Sequence, residues 1–464
     1  MRDLTQGPEG RTIIRFAIPM LVGNVFQQLY TTVDGIVVGQ GVGKAGLAAV
    51  GASFPVIFFM ISLVFGVTMG AGIMIAQFYG ARDTESLRKT VDSALIFLFW
   101  AAIAASLLGI ALSGPILRAV RTPEDVFPLA LGYLRIMFAG MLFMFGYNVI
   151  SAVLRGLGDS TRPLYFLMIA SVVNIVLDLL FVLVLHWGVA GAAWATVIAQ
   201  SVSFLIGAVY IRRSPYEFLH IRVRSLRFDR RIFRTVVRLG LPTGVQQSLV
   251  SLGFIALTRI VNPFGTTVIA AYTAASRLDS FAAMPAMNLA MAVSTFTGQN
   301  LGARKAERVK KGYLFTLLVS ACLALATTAL FVLLGPTLIR IFSTDREVIR
   351  IGSEYLVIVS AFYILFTSMF VTGGVLRGAG ATFAQMVITL LALWVVRIPV
   401  SALLCGPLGT RGIWWGIPAG WVVGLAANLV YYASGRWKSK VVVGARGTPG
   451  RRGSPEGEEA LPTS

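Results

Sequence analysis

The chain repeats itself at a nearly constant offset inside strongly apolar sequence. Gln77-Phe78-Tyr79-Gly80-Ala81-Arg82 returns as Gln299-Asn300-Leu301-Gly302-Ala303-Arg304, and Arg155-Gly156-Leu157-Gly158 returns as Arg377-Gly378-Ala379-Gly380, both displaced by 222 residues. Tyr133-Leu134 returns as Tyr355-Leu356 at 222, while Gly114-Pro115-Ile116-Leu117 returns as Gly335-Pro336-Thr337-Leu338 at 221. Gly188, Gly191 and Trp194 return as Gly409, Gly412 and Trp415, again at 221. One match would be coincidence; a series in the same order at one offset is a duplicated unit. Duplication within an apolar chain is the plan of membrane transporters, in which two lobes enclose a central path.

Composition agrees. Hydrophobic residues make up 56% of the 464 positions and charged residues 13%, against about 25% charged in an ordinary soluble domain. The apolar runs Val91–Leu112, Leu164–Leu185, Tyr313–Leu334 and Met386–Leu404 approach or exceed the roughly 20 residues that cross a bilayer as a helix. Too little polar surface remains to cover a large soluble core. The apolar N-terminal stretch runs on past Val38, contains Gln27, Gln28 and Asp34, and lacks a small-x-small cleavage site, so it does not read as a cleaved signal peptide. Cys322 and Cys405 both lie in apolar spans, which argues against a disulfide framework or a thiolate metal site.

The net charge of +20 would suggest nucleic acid in a soluble protein. Here, 29 of the 40 Lys and Arg residues fall in the N-terminal segment, at 82–89, 155–162, 212–238 and 304–311, at Arg377 and after Arg436. These are alternate loops, so they label one face of a membrane, and the positive-inside rule makes that face cytoplasmic. No aromatic-basic or helix-turn-helix signal supports a nucleic-acid partner. The expected fold is an all-α integral membrane protein of about twelve transmembrane helices in two six-helix lobes. Because repeated motifs fall on the same side, the lobes are related by a pseudo-twofold axis along the membrane normal. The expected division is an N-terminal lobe at 1–211, a basic cytoplasmic linker at 212–234 that contacts lipid headgroups, a C-terminal lobe at 235–436, and a disordered cytoplasmic tail at 437–464. Both termini are expected to be cytoplasmic and the protein monomeric.

An ionisable residue in an apolar span is costly and is a functional hypothesis by default. Asp34 lies near the outer end of the first helix. Asn174 and Asp178 are four residues apart, so they share a helix face. If their helix starts near Pro163 on the inside, Asp178 stands about 22 Å up at 1.5 Å per residue, and Thr196 on the next, descending helix lies about 10 Å below the outer surface. In a core about 30 Å thick these depths agree. Two carboxylates, an amide and a hydroxyl could surround a small hard cation, or the paired carboxylates could carry a proton. A helix cap or contact with headgroup water would equally explain Asp34. A shift of 222 puts Val396 and Val400 at the second-lobe equivalents, with Arg397 between them. The coupling chemistry is therefore expected in the first lobe alone, with Arg397 holding an anionic partner such as Glu354, or snorkelling to the interface. Pro19 removes a backbone hydrogen bond in the first helix and permits a bend, although Pro242 is its repeat partner. Gly41-Val42-Gly43-Lys44-Ala45-Gly46 matches G-x-G-x-x-G, but no strand precedes it. No Walker A sequence is present. Only His186 and His220 occur, against a histidine metal site.

Over roughly residues 10–436 the chain resembles the multidrug and toxic compound extrusion (MATE) transporters. The resemblance rests on Val33-Asp34 with Val38-Gly39, the two Gln…Gly-Ala motifs, the two Arg-Gly-x-Gly motifs, and Asn174-x3-Asp178. The first-lobe pattern is similar to the prokaryotic DinF-like branch. The resemblance implies a multi-pass antiporter, not an enzyme, in the bacterial inner membrane. It would export amphiphilic, often cationic compounds against Na⁺ or H⁺, with no cofactor beyond that coupling ion and no metal beyond Na⁺. It implies a cation site of Asp34, Asn174, Asp178 and Thr196, with Tyr133 and Asn148 as nearby polar residues of the cavity. The acidic second-lobe site of other branches has no match by the shift. A flippase for a lipid-linked precursor, built on the same two-lobe plan, is the alternative, and it would favour cationic residues lining the cavity.

Overall fold

The computed structural model describes residues 3–214 and 226–444. Lobe 1 comprises α1 (Glu9–Gly41), α2 (Lys44–Gly80), α3 (Thr84–Ala119), α4 (Phe127–Ala139), α5 (Met141–Gly156), α6 (Thr161–Asp178) and α7 (Gly188–Arg212). Lobe 2 comprises α8 (Arg230–Val261), α9 (Thr266–Gly302), α10 (Ala306–Arg340), α11 (Arg346–Ser360), α12 (Tyr363–Gly378), α13 (Thr382–Leu390), α14 (Ile398–Leu408) and α15 (Thr410–Ala433). The α4–α5 pair is one span bent by 49°, and α11–α12 is one bent by 52°. In lobe 1, α6 runs on as a π-helical stretch, Leu179–Val184; in lobe 2, α13 and α14 are joined through another, Leu391–Arg397. Among the described residues each lobe thus has six spans, twelve in all. Eight helices and both bent pairs are long and apolar enough to cross a membrane. The other two long helices, α1 and α9, carry polar residues in mid-span.

The duplication is written in the backbone. Left-handed φ values recur at Arg82 (58°) and Arg304 (59°), at Gly158 (82°) and Gly380 (93°), and at Gly188 (61°) and Gly409 (58°). An arginine in this region is sterically disfavoured. It is held there because the α2–α3 and α9–α10 connections are tight. Asp83 N–H donates to Phe78 O at 3.0 Å, and Lys305 N–H to Asn300 O at 2.7 Å, the long bond of a helix-ending turn. Aspartates start several helices: Asp83 accepts from Ser86 N, Asp229 from Arg231 and Ile232 N, and Asp345 from Glu347 and Val348 N, as N-caps do. Leu333, Ile341 and Leu403 are among many large apolar side chains on the outer surface, as a bilayer-facing belt requires.

Each lobe has its own apolar core, and a third cluster joins them. In it Ile13, Phe16, Ala17 and Met20 of α1 pack with Leu289 and Phe296 of α9, Tyr313 of α10 and Val371 of α12. The first half of α1 is therefore packed into lobe 2, although the sequence division assigns it to lobe 1. Further along, Val37 and Val38 pack with Val182 and Ala192 of lobe 1. The expected disordered tail also needs correction at its start. Trp437 is 3% exposed and belongs to the joining cluster. Its indole N–H donates to Tyr432 O at 2.9 Å, and its ring stacks on that of Tyr432. A buried aromatic anchor orders the chain as far as Gly444, in 3₁₀ turns at Arg436–Lys440 and Val442–Gly444. Residues 215–225 of the expected linker and 445–464 of the expected tail lie outside the described residues.

Where α2 and α8 bring the lobes together, glycines face glycines. Gly66 and Gly70 of α2 lie against Gly240 and Gly244 of α8. A Cβ at Gly70 would stand 2.3 Å from Val236 O, and one at Gly240 would stand 2.2 Å from Gly66 O. Small residues at a four-residue spacing permit this backbone approach in a membrane. Gly240→Ala should therefore force α2 and α8 apart and lower the melting temperature of the purified protein. Gly114→Ala, where a Cβ meets nothing within 4 Å, should leave it unchanged. Equal melting of both variants with wild type would contradict this account of the interface.

Candidate functional site

α1 packs on α6, and α6 on α7, so the three helices named by the sequence pattern are neighbours. Asp178 and Asn174 are 0% and 2% exposed. Both carboxylate oxygens of Asp178, both amide atoms of Asn174 and Oδ1 of Asp34 are buried with no hydrogen-bond partner among the described residues. The four-residue spacing on α6 sets the amide one turn below the carboxylate. Asp178 is also the last α-helical residue before the π-helical stretch, a distortion frequent at functional sites. The charges of Asp34 and Asp178 act on one another, and both act on the buried Tyr133 hydroxyl.

Buried polar atoms ordinarily have partners. An amide and two carboxylates left without them, in one place and at membrane depth, are an oxygen-rich set suited to a small cation or a shared proton. Among the described residues, no three His, Cys, Asp or Glu side chains gather in one group. The set is thus two carboxylates plus neutral oxygens. Thr196 is half-buried on α7, and its hydroxyl donates to Ala192 O at 3.0 Å, leaving only lone pairs to offer an ion. Asn148 donates to Met144 O on its own helix at 2.8 Å, and no contact ties it to the carboxylates. Pro19 lies inside α1, which continues as one helix from Glu9 to Gly41.

Sequence reasoning missed Tyr30 and Tyr147. Tyr30 lies within electrostatic reach of Asp34 and of Tyr147, and Tyr147 within reach of Arg155. A trail of phenols thus leads from the carboxylates toward the basic end of lobe 1.

Lobe 2 does hold a membrane-embedded carboxylate, contrary to the expectation from the shift. Asp279 of α9 accepts hydrogen bonds from the Tyr363 hydroxyl and, at 3.3 Å, from the Tyr355 hydroxyl. The two tyrosines flank the bend between α11 and α12, so one carboxylate staples both halves of the broken span. Arg397 acts electrostatically on Asp279 and lies 5.6 Å from the centroid of the Phe254 ring, a cation–π distance. Glu354 is not its partner: Glu354 pairs with Arg411. A shift of 222 carries Asp279 back to Ile57, so the repeat could not reveal it. The signal was its standing as the one acid in the 37 residues of α9. Tyr363→Phe removes a buried bond to a charged acceptor and should cost about 2 kcal/mol of stability, read by denaturant or thermal unfolding in detergent. No loss would show that the staple contributes nothing.

The MatE family profile matches residues 19–180 and 242–403, two segments that follow the internal repeat. A probable multidrug resistance protein of Bacillus subtilis, YpnP, is 33% identical over 94% of this chain and 98% of its own length. YoeA of the same organism, also a probable multidrug resistance protein, is 33% identical over 93% and 95%. Among solved structures, the outward-facing conformation of a multidrug resistance MATE family transporter is 28% identical with a TM-score of 0.87, over 94% of this chain and 98% of that one. A MOP superfamily transporter from Pyrococcus furiosus, described as having a binding pocket of reversed polarity, is 28% identical with a TM-score of 0.85, over 95% and 98%.

Proposed function

This chain belongs to the MatE family of multidrug efflux transporters, and on that premise we propose that it is a secondary active antiporter. It exports amphiphilic, often cationic compounds in exchange for Na⁺ or H⁺ by alternating access. The observation that carries the reading is the set of unpartnered oxygens on Asp34, Asn174 and Asp178, with Thr196 on the neighbouring helix. A cation entering from outside neutralises the paired carboxylates. Since a ligand shifts a conformational equilibrium only by its differential affinity for the two states, this binding must favour a state that holds drug less well. Drug then leaves, and the lobes reorient.

The flippase reading receives less support. It needs cations facing a roomy cavity. The cavity between α2, α5 and α9 is lined by a single cation, Arg155, where a diphosphate would call for several.

Asp34→Asn and Asp178→Asn should each insert normally yet lose gradient-driven efflux by at least about tenfold. Proteoliposomes with Na⁺ and pH gradients imposed separately measure this and identify the coupling ion. Wild-type efflux by both variants would remove the first-lobe site from the mechanism.

The orientation follows from charge. The basic loops, including Arg82 and Arg304, face the cytoplasm, as do both termini, in the bacterial inner membrane. In a Cys322→Ser/Cys405→Ser background, a membrane-impermeant thiol reagent added to intact cells should label Lys44→Cys and spare Arg82→Cys. The opposite pattern inverts the topology, and labelling of both breaks it.

A further inference from the structure

Lobes that swing must separate at one end and close at the other, and the basic end is closed by a symmetrical pair of glutamines. Gln77 of α2 and Gln299 of α9 are repeat partners, and both are 0% exposed. Gln77 Nε2 donates to Gly378 O of lobe 2 at 2.9 Å, and Gln299 Nε2 donates to Gly156 O of lobe 1 at 2.9 Å. Each amide thus reaches across to the Arg-Gly-x-Gly motif of the opposite lobe. Each amide oxygen is taken by a segment that flanks the two lobes. Leu4 N–H donates to Gln299 Oε1 at 3.0 Å, and Val442 N–H to Gln77 Oε1 at 2.8 Å. The segment that leads into lobe 1 therefore docks on lobe 2, and the segment that follows lobe 2 docks on lobe 1. Further bonds hold the N-terminal strap. Asn300 Nδ2 donates to Leu4 O at 3.1 Å, Lys305 Nζ to Thr5 O at 2.9 Å, and Arg308 Nη2 to Gly7 O at 2.8 Å. The glycines that follow the glutamines permit the contact. A Cβ at Gly80 would meet Gln299 O at 1.9 Å, and one at Gly302 would meet Gln77 O at 2.0 Å.

We propose that Gln77 and Gln299 are the positioning residues of the gate at the basic end, each latching the opposite lobe while the swapped terminal straps hold the latches in place. The inference rests on the transport reading, which requires this end to open. The two glutamine–glycine bonds are buried, mutually related by the repeat, and broken together by one rigid-body separation of the lobes. The pairing thereby makes closure all-or-none: a partial opening would leave buried amides and carbonyls without partners, which costs more than either end state.

The test is a distance measurement on the full chain in lipid nanodiscs, with spin labels at Arg82→Cys and Arg304→Cys in the cysteine-free background. The wild-type chain should show one dominant short separation. Gln77→Ala/Gln299→Ala should raise the ratio of long to short separations about tenfold. Gly80→Ala, a steric wedge, should act in the same direction. Gln77→Glu keeps the acceptor for Val442 but loses the donor to Gly378, so it should open the gate as Gln77→Ala does. If the double variant does not fold, truncation after Lys440 removes the strap with its Val442 N–H, leaves both glutamine–glycine bonds in place, and should give a smaller shift. An unchanged distribution in the folded variants, or a Gln77→Glu chain that behaves as wild type, overturns the latch. Efflux assayed in parallel keeps the two readings apart: a gate that swings without drug movement refutes the transport reading and leaves the latch standing.

Discussion

The hydrocarbon core of a membrane offers no hydrogen bonds, so every polar atom placed there must find a partner in the protein or serve a ligand. That rule sorts the interior of this molecule. Backbone groups are satisfied within long helices. Many buried hydroxyls return a bond to a carbonyl one turn back, as Ser53, Thr68, Thr90, Ser171 and Thr316 do. The buried glutamines Gln77 and Gln299 bond across the lobe interface. Against this background the bare oxygens of Asp178 stand out, because an ionised carboxylate only accepts and cannot bond back to a carbonyl as the hydroxyls do.

The second constraint is that two rigid bodies must touch without interlocking. Apolar side chains gain little from one another in lipid, so the interface is built from backbone approach and a few polar bonds. The glycines of α2 and α8 supply the first, and the two glutamines and the Asn24–Asn288 bond at 3.0 Å supply the second. α1 is joined to both bodies: Ile13, Phe16 and Met20 lie in the joining cluster, whereas Val37 and Val38 lie against lobe 1. Pro19 falls inside the first of those attachments, between Ala17 and Met20, where it leaves one backbone bond of the helix unmade.

Fold class was legible because it rests on quantities that survive without contacts: run length, charge placement and a repeat offset. The first-lobe cluster was legible for the same reason, since a four-residue spacing on one helix and matched depths on two others need no coordinates. Asp279 escaped because the comparison asked only what lobe 2 shares with lobe 1, and its partners Tyr355 and Tyr363 lie 76 and 84 residues away. Glu354 was assigned the wrong cation because sequence shows charge and not direction. The order at Trp437 was hidden by a basic, glycine-rich composition that resembles a tail, although one buried indole is enough to anchor it.

The two lobes, born alike, have placed their acids in opposite electrostatic situations. In lobe 1 both oxygens of Asp178 and Oδ1 of Asp34 lie buried with no hydrogen-bond partner among the described residues, and the proposed antiport gives them an ion or proton from outside the chain. In lobe 2 the carboxylate is held by two tyrosine hydroxyls and faces an arginine, so its charge is answered internally. A carboxylate tied to two hydroxyls that flank one bend serves best as a fixed point. Asp279 fastens the bend of α11 and α12 and leaves lobe 2 one shape to present. Lobe 1, with its unrelieved pair at the edge of a π-helical stretch, has a reason to change shape when a cation arrives. The division of labour follows from where the partners were placed: duplication supplied two equal frames, and hydrogen-bond satisfaction made one of them the anchor and left the other responsive.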